Sequence, residues 1–173
     1  MTRSEIKKYL EQLNQKLAGM NVKGEICLYG GAVMCVVFNA RPSTKDVDAV
    51  FEPSRKIREA ARKIAEENDL NEDWLNDAVK GFLEKHGKTI LFAWDHLTVY
   101  YADPDYLLAM KAMSARIDSM DNQDIRFLIE RLNIQSPEEI FTIIEKYYRQ
   151  NRIKPATQFF VEEIFENGNA FKG

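Results

Sequence analysis

One stretch limits what this chain can fold into more than any other: LYGGAVMCVVFNARPSTKDVDAVF, from Leu28 to Phe51. A short apolar run stops at two adjacent glycines. An apolar segment of helical character follows, then a basic and polar loop, and an Asp-x-Asp opens a second apolar run. In DVDAVF the residues alternate: Asp46, Asp48 and Val50 share one face, and Val47, Ala49 and Phe51 share the other. That period of two is the signature of a half-buried strand. The stretch therefore predicts a strand ending at Gly30, a helix opening at the glycines, a loop and a second strand. In RPSTK, Pro42 restricts Arg41, and Ser43 and Thr44 favour turn geometry.

The flanking segments supply the layers that cover such strands. Ile6, Tyr9, Leu10, Leu13 and Leu17 recur at spacings of three and four, which predicts an amphipathic helix over residues 3–19. Pro53 stands at the first turn of a second helix, with Ile57, Ala60, Ala61, Ile64 and Ala65 as its apolar stripe. Residues 73–83, around a Trp74 with a buried ring, read as another short helix. KTILFAWDHLTVYYAD contains one or two strands, with a hairpin turn at Trp94, Asp95 and His96. Beyond Pro104 the periodicity is helical throughout: 105–116, 121–132, 136–148 and 155–166. Ser136, Pro137 and Glu139 look like a capped helix start. The expected organisation is α+β, a mixed sheet flanked by helices, with an α/β core over residues 1–103 and a helical region over 104–173.

Composition sets the class. With 45% hydrophobic and 29% charged residues, the chain has enough apolar material for a core and enough charge to keep its surface wet. No apolar run is long enough to span a bilayer, and the N-terminus reads as a charged helix rather than a secretory leader. The expected location is cytoplasmic, with Cys27 and Cys35 as buried free thiols. A net charge of −3 gives no global case for nucleic-acid binding. The basic and aromatic run FTIIEKYYRQNRIKPATQFF is read as core rather than as a stacking platform. His86 is expected to be exposed, and His96 lacks a second nearby ligand for zinc.

The chemistry sits in the first stretch. Glycines at a strand end let a ligand approach the backbone, and a helix N-terminus there favours a phosphate. Two carboxylates leaving one face of a strand repel each other unless a cation lies between them, and such hard oxygen donors suit Mg²⁺. If the strands are neighbours, a phosphate site faces a metal site, with Arg41, Thr44 and Lys45 beside it as further donors. That pairing is what phosphoryl or nucleotidyl transfer requires.

Gly30-Gly31, the helix and loop, and Asp46-Val47-Asp48 together resemble the signature of the polymerase-beta-like nucleotidyltransferase superfamily. The RPSTKDVD version is similar to a branch holding bacterial abortive-infection and toxin–antitoxin nucleotidyltransferases and uncharacterised relatives. DYLLAMKAMSARIDSMDNQDIRFLIERL resembles the second half of those proteins. The two segments, 26–51 and 99–132, cover about a third of the chain. The resemblance implies that Gly30 and Gly31 contact a nucleoside triphosphate and that Asp46 and Asp48 bind Mg²⁺ or Mn²⁺. It places Lys111 toward the nucleotide or its cleft, and makes Asp121 and Asp124 the acidic pair of the helical half. Lys111, Arg116, Asp121 and Asp124 also read as an ion-pair network between two helices. Active members need a third carboxylate on a later strand. Asp95 and Asp103 are the candidates, although the first also suits a turn cap and the second a lead into a helix.

Three functions follow. The first is Mg²⁺-dependent transfer of a nucleotide from a triphosphate to a hydroxyl on a protein, a tRNA or a small molecule, in a toxin–antitoxin or phage-defence setting. The second is an inactive relative that binds a nucleotide or a protein partner such as an antitoxin. The third is an interaction protein in which the two motifs are coincidental. Gly30 close to the Asp-x-Asp strand separates the first two from the third.

Overall fold

The computed structural model describes residues 1–114 and 121–169. They separate into two compact units. One comprises 1–83 and 88–102, and the other 84–87 and the chain from 103 onward.

In the first unit the described residues form one five-stranded sheet in the order β3-β2-β1-β5-β4. The strands are β1 (Gly24–Leu28), β2 (Val47–Glu52), β3 (Leu75–Asn76), β4 (Lys88–Ala93) and β5 (Leu97–Ala102). β1 runs antiparallel to β2 and parallel to β5, β2 runs parallel to β3, and β4 and β5 form the expected hairpin. The α+β class and the mixed sheet read from the sequence are what the chain adopts.

The register explains the alternation in β2. Ala49 lies opposite Leu28 and Phe51 opposite Ile26, and all four are buried. Asp48 and Val50 leave the other face, on which Cys27 lies opposite Val50. The helices are α1 (Arg3–Gly19), α2 (Gly30–Val36) and α3 (Ser54–Asn68). Every residue of the two predicted stripes, from Ile6 to Leu17 and from Ile57 to Ala65, is buried. Each fully buried Leu or Ile contributes about 1.5–3 kcal/mol, so these stripes hold the helices in place. Thr2 caps α1 in a reciprocal box with Glu5. α2 has only seven residues, and Ala32 through Val36 are all buried, while Val37 is half-buried.

Residues 73–83 depart from the helix expected there. They form β3 and a single 3-10 segment, Ala78–Phe82. The cause is long-range. The buried Trp74 indole donates to the Ala61 carbonyl at 3.0 Å, and the Trp74 carbonyl accepts from Val47 N–H at 2.7 Å. These two bonds draw the chain out along β2 before a helix can start.

The second unit contains α4 (Pro104–Ser114), α5 (Asp121–Arg131), α6 (Pro137–Tyr147) and α7 (Pro155–Asn169). Ser136 stands at the N-cap of α6 but makes no side-chain capping bond, and Glu139 accepts from Gln135 N–H instead. The segment 84–87 belongs to this unit. Glu84 N–H donates to the buried Tyr106 hydroxyl at 2.8 Å, and the His86 ring stacks on Tyr106 at 4.1 Å. His86 is therefore half-buried rather than exposed. Cys27 and Cys35 are free and buried, and burial pushes the Cys35 thiol pKa up. Of the basic and aromatic run, Ile144, Tyr148 and Phe160 are buried while Phe159 is exposed. Among the described residues no helix is long and apolar enough to cross a membrane.

Candidate nucleotide site

β1 ends at Leu28, and the chain turns at Tyr29, whose N–H donates to the Asp48 carbonyl at 2.9 Å. This bond ties the glycine turn to the Asp-x-Asp strand. Gly30 follows at φ +56°, a backbone that side chains rarely adopt. A Cβ there would lie 2.9 Å from Asp48 Oδ2. Gly30 is thus required twice, once by its dihedral and once because the Asp48 carboxylate occupies the space. A Cβ on Gly31 would lie 2.7 Å from Thr44 Oγ1 and 3.1 Å from an Arg41 guanidinium nitrogen. The two glycines, Asp48, Arg41 and Thr44 therefore meet at one place in the first unit.

The loop is fixed from both sides. Thr44 N–H donates to the Met1 carbonyl at 2.9 Å, and Thr2 bridges Ser43. The Thr44 hydroxyl donates to the Asp46 carbonyl at 3.2 Å. Lys45 is exposed on this loop. Asp46 immediately precedes β2, two residues before Asp48, and both carboxylates are half-buried. Asn76, opposite Asp48 in the β2–β3 register, directs its amide nitrogen at Asp46 Oδ2 at 3.5 Å. Sequence reasoning missed Asn76 because residues 73–83 read as a helix. Only the structure shows that β3 pairs with β2.

The other expected residues belong to other elements. Asp95 lies in the β4–β5 turn, beyond the end of β5 that pairs with Gly24. Gly30 and Asp48 lie at the Leu28 end of β1, so the strand's length of about 13 Å stands between. The structure does not bring Asp95 to the pair. On β5 the positions sharing Asp48's face hold Thr98 and Tyr100. Asp103 belongs to the second unit. Its N–H donates to the Gly87 carbonyl at 3.2 Å, and its carboxylate lies where a Cβ on Gly87 would stand. Lys111, also in the second unit, gives its ammonium to Asp121 at 2.9 Å and to Asp124 at 2.7 Å. Arg116 lies outside the described residues.

The site's chemistry follows from this geometry. A seven-residue α2 has little macrodipole, so the anion-binding capacity expected from a helix N-terminus does not hold here. The Arg41 guanidinium beside Gly31 and the exposed Lys45 on the same loop remain. Asp46 and Asp48 are hard oxygen donors on one side of a strand end, the kind of set that Mg²⁺ shares with water and substrate phosphates. Among the described residues no group of three or more His, Cys, Asp or Glu side chains could hold a metal. The donor set fits a shared Mg²⁺ and not an all-protein cage.

Comparison with known families gives a match. A family model described as a nucleotidyltransferase of unknown function (DUF6036) covers residues 4–162. No curated protein and no solved structure matches the chain.

Proposed function

The chain belongs to that family of nucleotidyltransferases of unknown function (DUF6036), and from this membership we propose that it transfers a nucleotide from a nucleoside triphosphate to a hydroxyl acceptor. The observation that carries the reading is the contact of the glycine turn with the Asp-x-Asp strand, with Asp48 Oδ2 at 2.9 Å from the Gly30 Cβ position. Gly30 and Gly31 let Asp48, Thr44 and Arg41 close up on the glycine turn, beside which the triphosphate would lie. Arg41 and Lys45 offer a guanidinium and an ammonium to its oxygens, and Thr44, whose hydroxyl donates to the Asp46 carbonyl, stands beside Arg41 at Gly31. Asp46 and Asp48 would hold a divalent cation, which when bound neutralises charge at the attacked phosphorus. The tie between Tyr29 N–H and the Asp48 carbonyl keeps carboxylates and phosphate cradle in register, so orientation is set before substrate arrives. The acceptor is a protein side chain, a tRNA end or a small molecule, and a toxin–antitoxin or phage-defence setting suits the first two.

One observation favours a second reading. The β5 positions on Asp48's face carry Thr98 and Tyr100, so no acid from that strand joins the pair. A protein that binds the nucleotide without transferring it, and acts through a partner such as an antitoxin, would have this arrangement. Incubation with α-labelled triphosphates, Mg²⁺ and a cell extract of proteins and RNA separates the two. Label transferred by the wild type and not by Asp46→Asn/Asp48→Asn supports the enzyme. Retained triphosphate binding with no label transferred supports the binding module.

A further inference from the structure

We propose that Asn76 is a positioning residue that orients the Asp46 carboxylate for its cation. The inference rests on the reading of Asp46 and Asp48 as cation ligands. Three features of the first unit carry it. The parallel pairing of Asp48 with Asn76 puts both side chains on the same face of the sheet. The Asn76 amide has two ends, and only one is available to Asp46. Its oxygen accepts from Ala78 N–H at 3.2 Å, which turns its NH₂ toward Asp46 Oδ2 at 3.5 Å. Finally, β3 is held from behind by the buried Trp74, through the indole bond to Ala61 and the Val47–Trp74 backbone bond.

The chain Ala61–Trp74–Asn76–Asp46 thus fixes one side of the carboxylate. Thr44, bonded to the Asp46 carbonyl, fixes the backbone on the other. A carboxylate that binds a cation through one oxygen needs its other oxygen held by a donor. Losing such an outer partner costs about 10–100-fold in metal affinity. Asn76 supplies that donor without adding charge, so it sets direction and does not compete as a ligand.

The test separates the two bonds of Asn76. Asn76→Ser keeps a short side chain able to accept from Ala78 N–H, as serines do two residues before a turn N–H, but it cannot reach Asp46. Wild type, Asn76→Ser, Asn76→Ala and Asp46→Asn/Asp48→Asn are titrated with Mg²⁺ in the presence of ATP, GTP, CTP or UTP. Calorimetry reads the Mg²⁺ concentration at half-saturation, and thermal denaturation reads the fold. The expected result is a tenfold or greater rise in half-saturating Mg²⁺ for both Asn76 variants. Asn76→Ser should keep the wild-type melting temperature, and the binding should return at high Mg²⁺. A folded Asn76→Ser with wild-type Mg²⁺ dependence overturns the proposal while leaving the site reading intact. Wild-type binding that is indifferent to Mg²⁺, or that survives in the double aspartate variant, removes the site reading and this inference with it.

Discussion

Asp48 lies on a strand and Asp46 just before it, two residues apart in sequence, while Asp121 and Asp124 leave one face of a helix three residues apart. Both are closely spaced acidic pairs, yet their surroundings differ. Asp124 is 1% exposed and Lys111 6%, and the lysine ammonium lies within 3 Å of both helical carboxylates. The protein itself supplies that pair with a cation. The strand pair is half-buried, and the Asp46 carboxylate faces a neutral amide. Spacing alone does not separate a structural acid pair from a ligand pair. In the proposed reading the helical pair serves the fold and the strand pair serves the ligand.

The largest expected effect breaks the strand pair. Asp46→Asn/Asp48→Asn should lose Mg²⁺-dependent triphosphate binding by more than about 100-fold, beyond what an outer partner is worth. Its melting temperature should stay near wild type, since neither carboxylate is sealed in the core.

The helical pair should respond the opposite way. Lys111→Ala removes the ammonium shared by Asp121 and the buried Asp124, and should cost about 3–5 kcal/mol in denaturant unfolding. Triphosphate binding by the folded fraction should persist. If a stable, folded Lys111 variant lost that binding, Lys111 would be a nucleotide contact and the contrast between the pairs would fail.

The glycines sharpen the comparison within the site. Gly30→Ala must adopt a positive φ, at about 1–2 kcal/mol, and displace the Asp48 carboxylate. It should lower both stability and triphosphate binding. Gly31→Ala meets only the ends of the Thr44 and Arg41 side chains, which can swing aside. It should cost little stability but weaken binding, and the ratio of the two effects is read by calorimetry beside thermal denaturation.

The smallest effect concerns a third carboxylate, Asp105. Partial burial raises its pKa, but hydrogen bonds from Lys146 and Tyr147 outweigh this and hold it below the ordinary value. A depressed folded pKa adds stability above the unfolded value, about 3.9, and that stability is lost as pH falls through the folded value. Lys146 is well exposed, so solvent screening limits the pair to about 1 kcal/mol or less. Asp105→Asn should show that small loss at neutral pH and none in strong acid, in urea melts across pH.

What was legible in the sequence was whatever local periodicity encodes. Ile6 to Leu17, Ile57 to Ala65 and the alternation from Asp46 to Phe51 each named a buried face, because burial repeats with the period of the element. The closeness of Gly30 to Asp48 was inferred from motif order, and the β1–β2 pairing supplies it. Features set by distant partners were not legible. Trp74 bonds to Ala61, thirteen residues back, and that bond replaced an expected helix with β3 and brought Asn76 to Asp46. His86 owes its half-burial to Tyr106. The brevity of α2, which weakens the helix-terminus argument for phosphate, also lay beyond the local pattern, because the apolar segment after the glycines runs on past its end.

The most direct measurement is calorimetric titration of ATP, GTP, CTP and UTP into the wild type and Asp46→Asn/Asp48→Asn, each with and without Mg²⁺. The account predicts that at least one triphosphate binds the wild type only with Mg²⁺, and that the double variant, folded to the same melting temperature, does not bind it. A well-folded wild type that binds none of the four, or binds one equally without Mg²⁺ and without the aspartates, would contradict it.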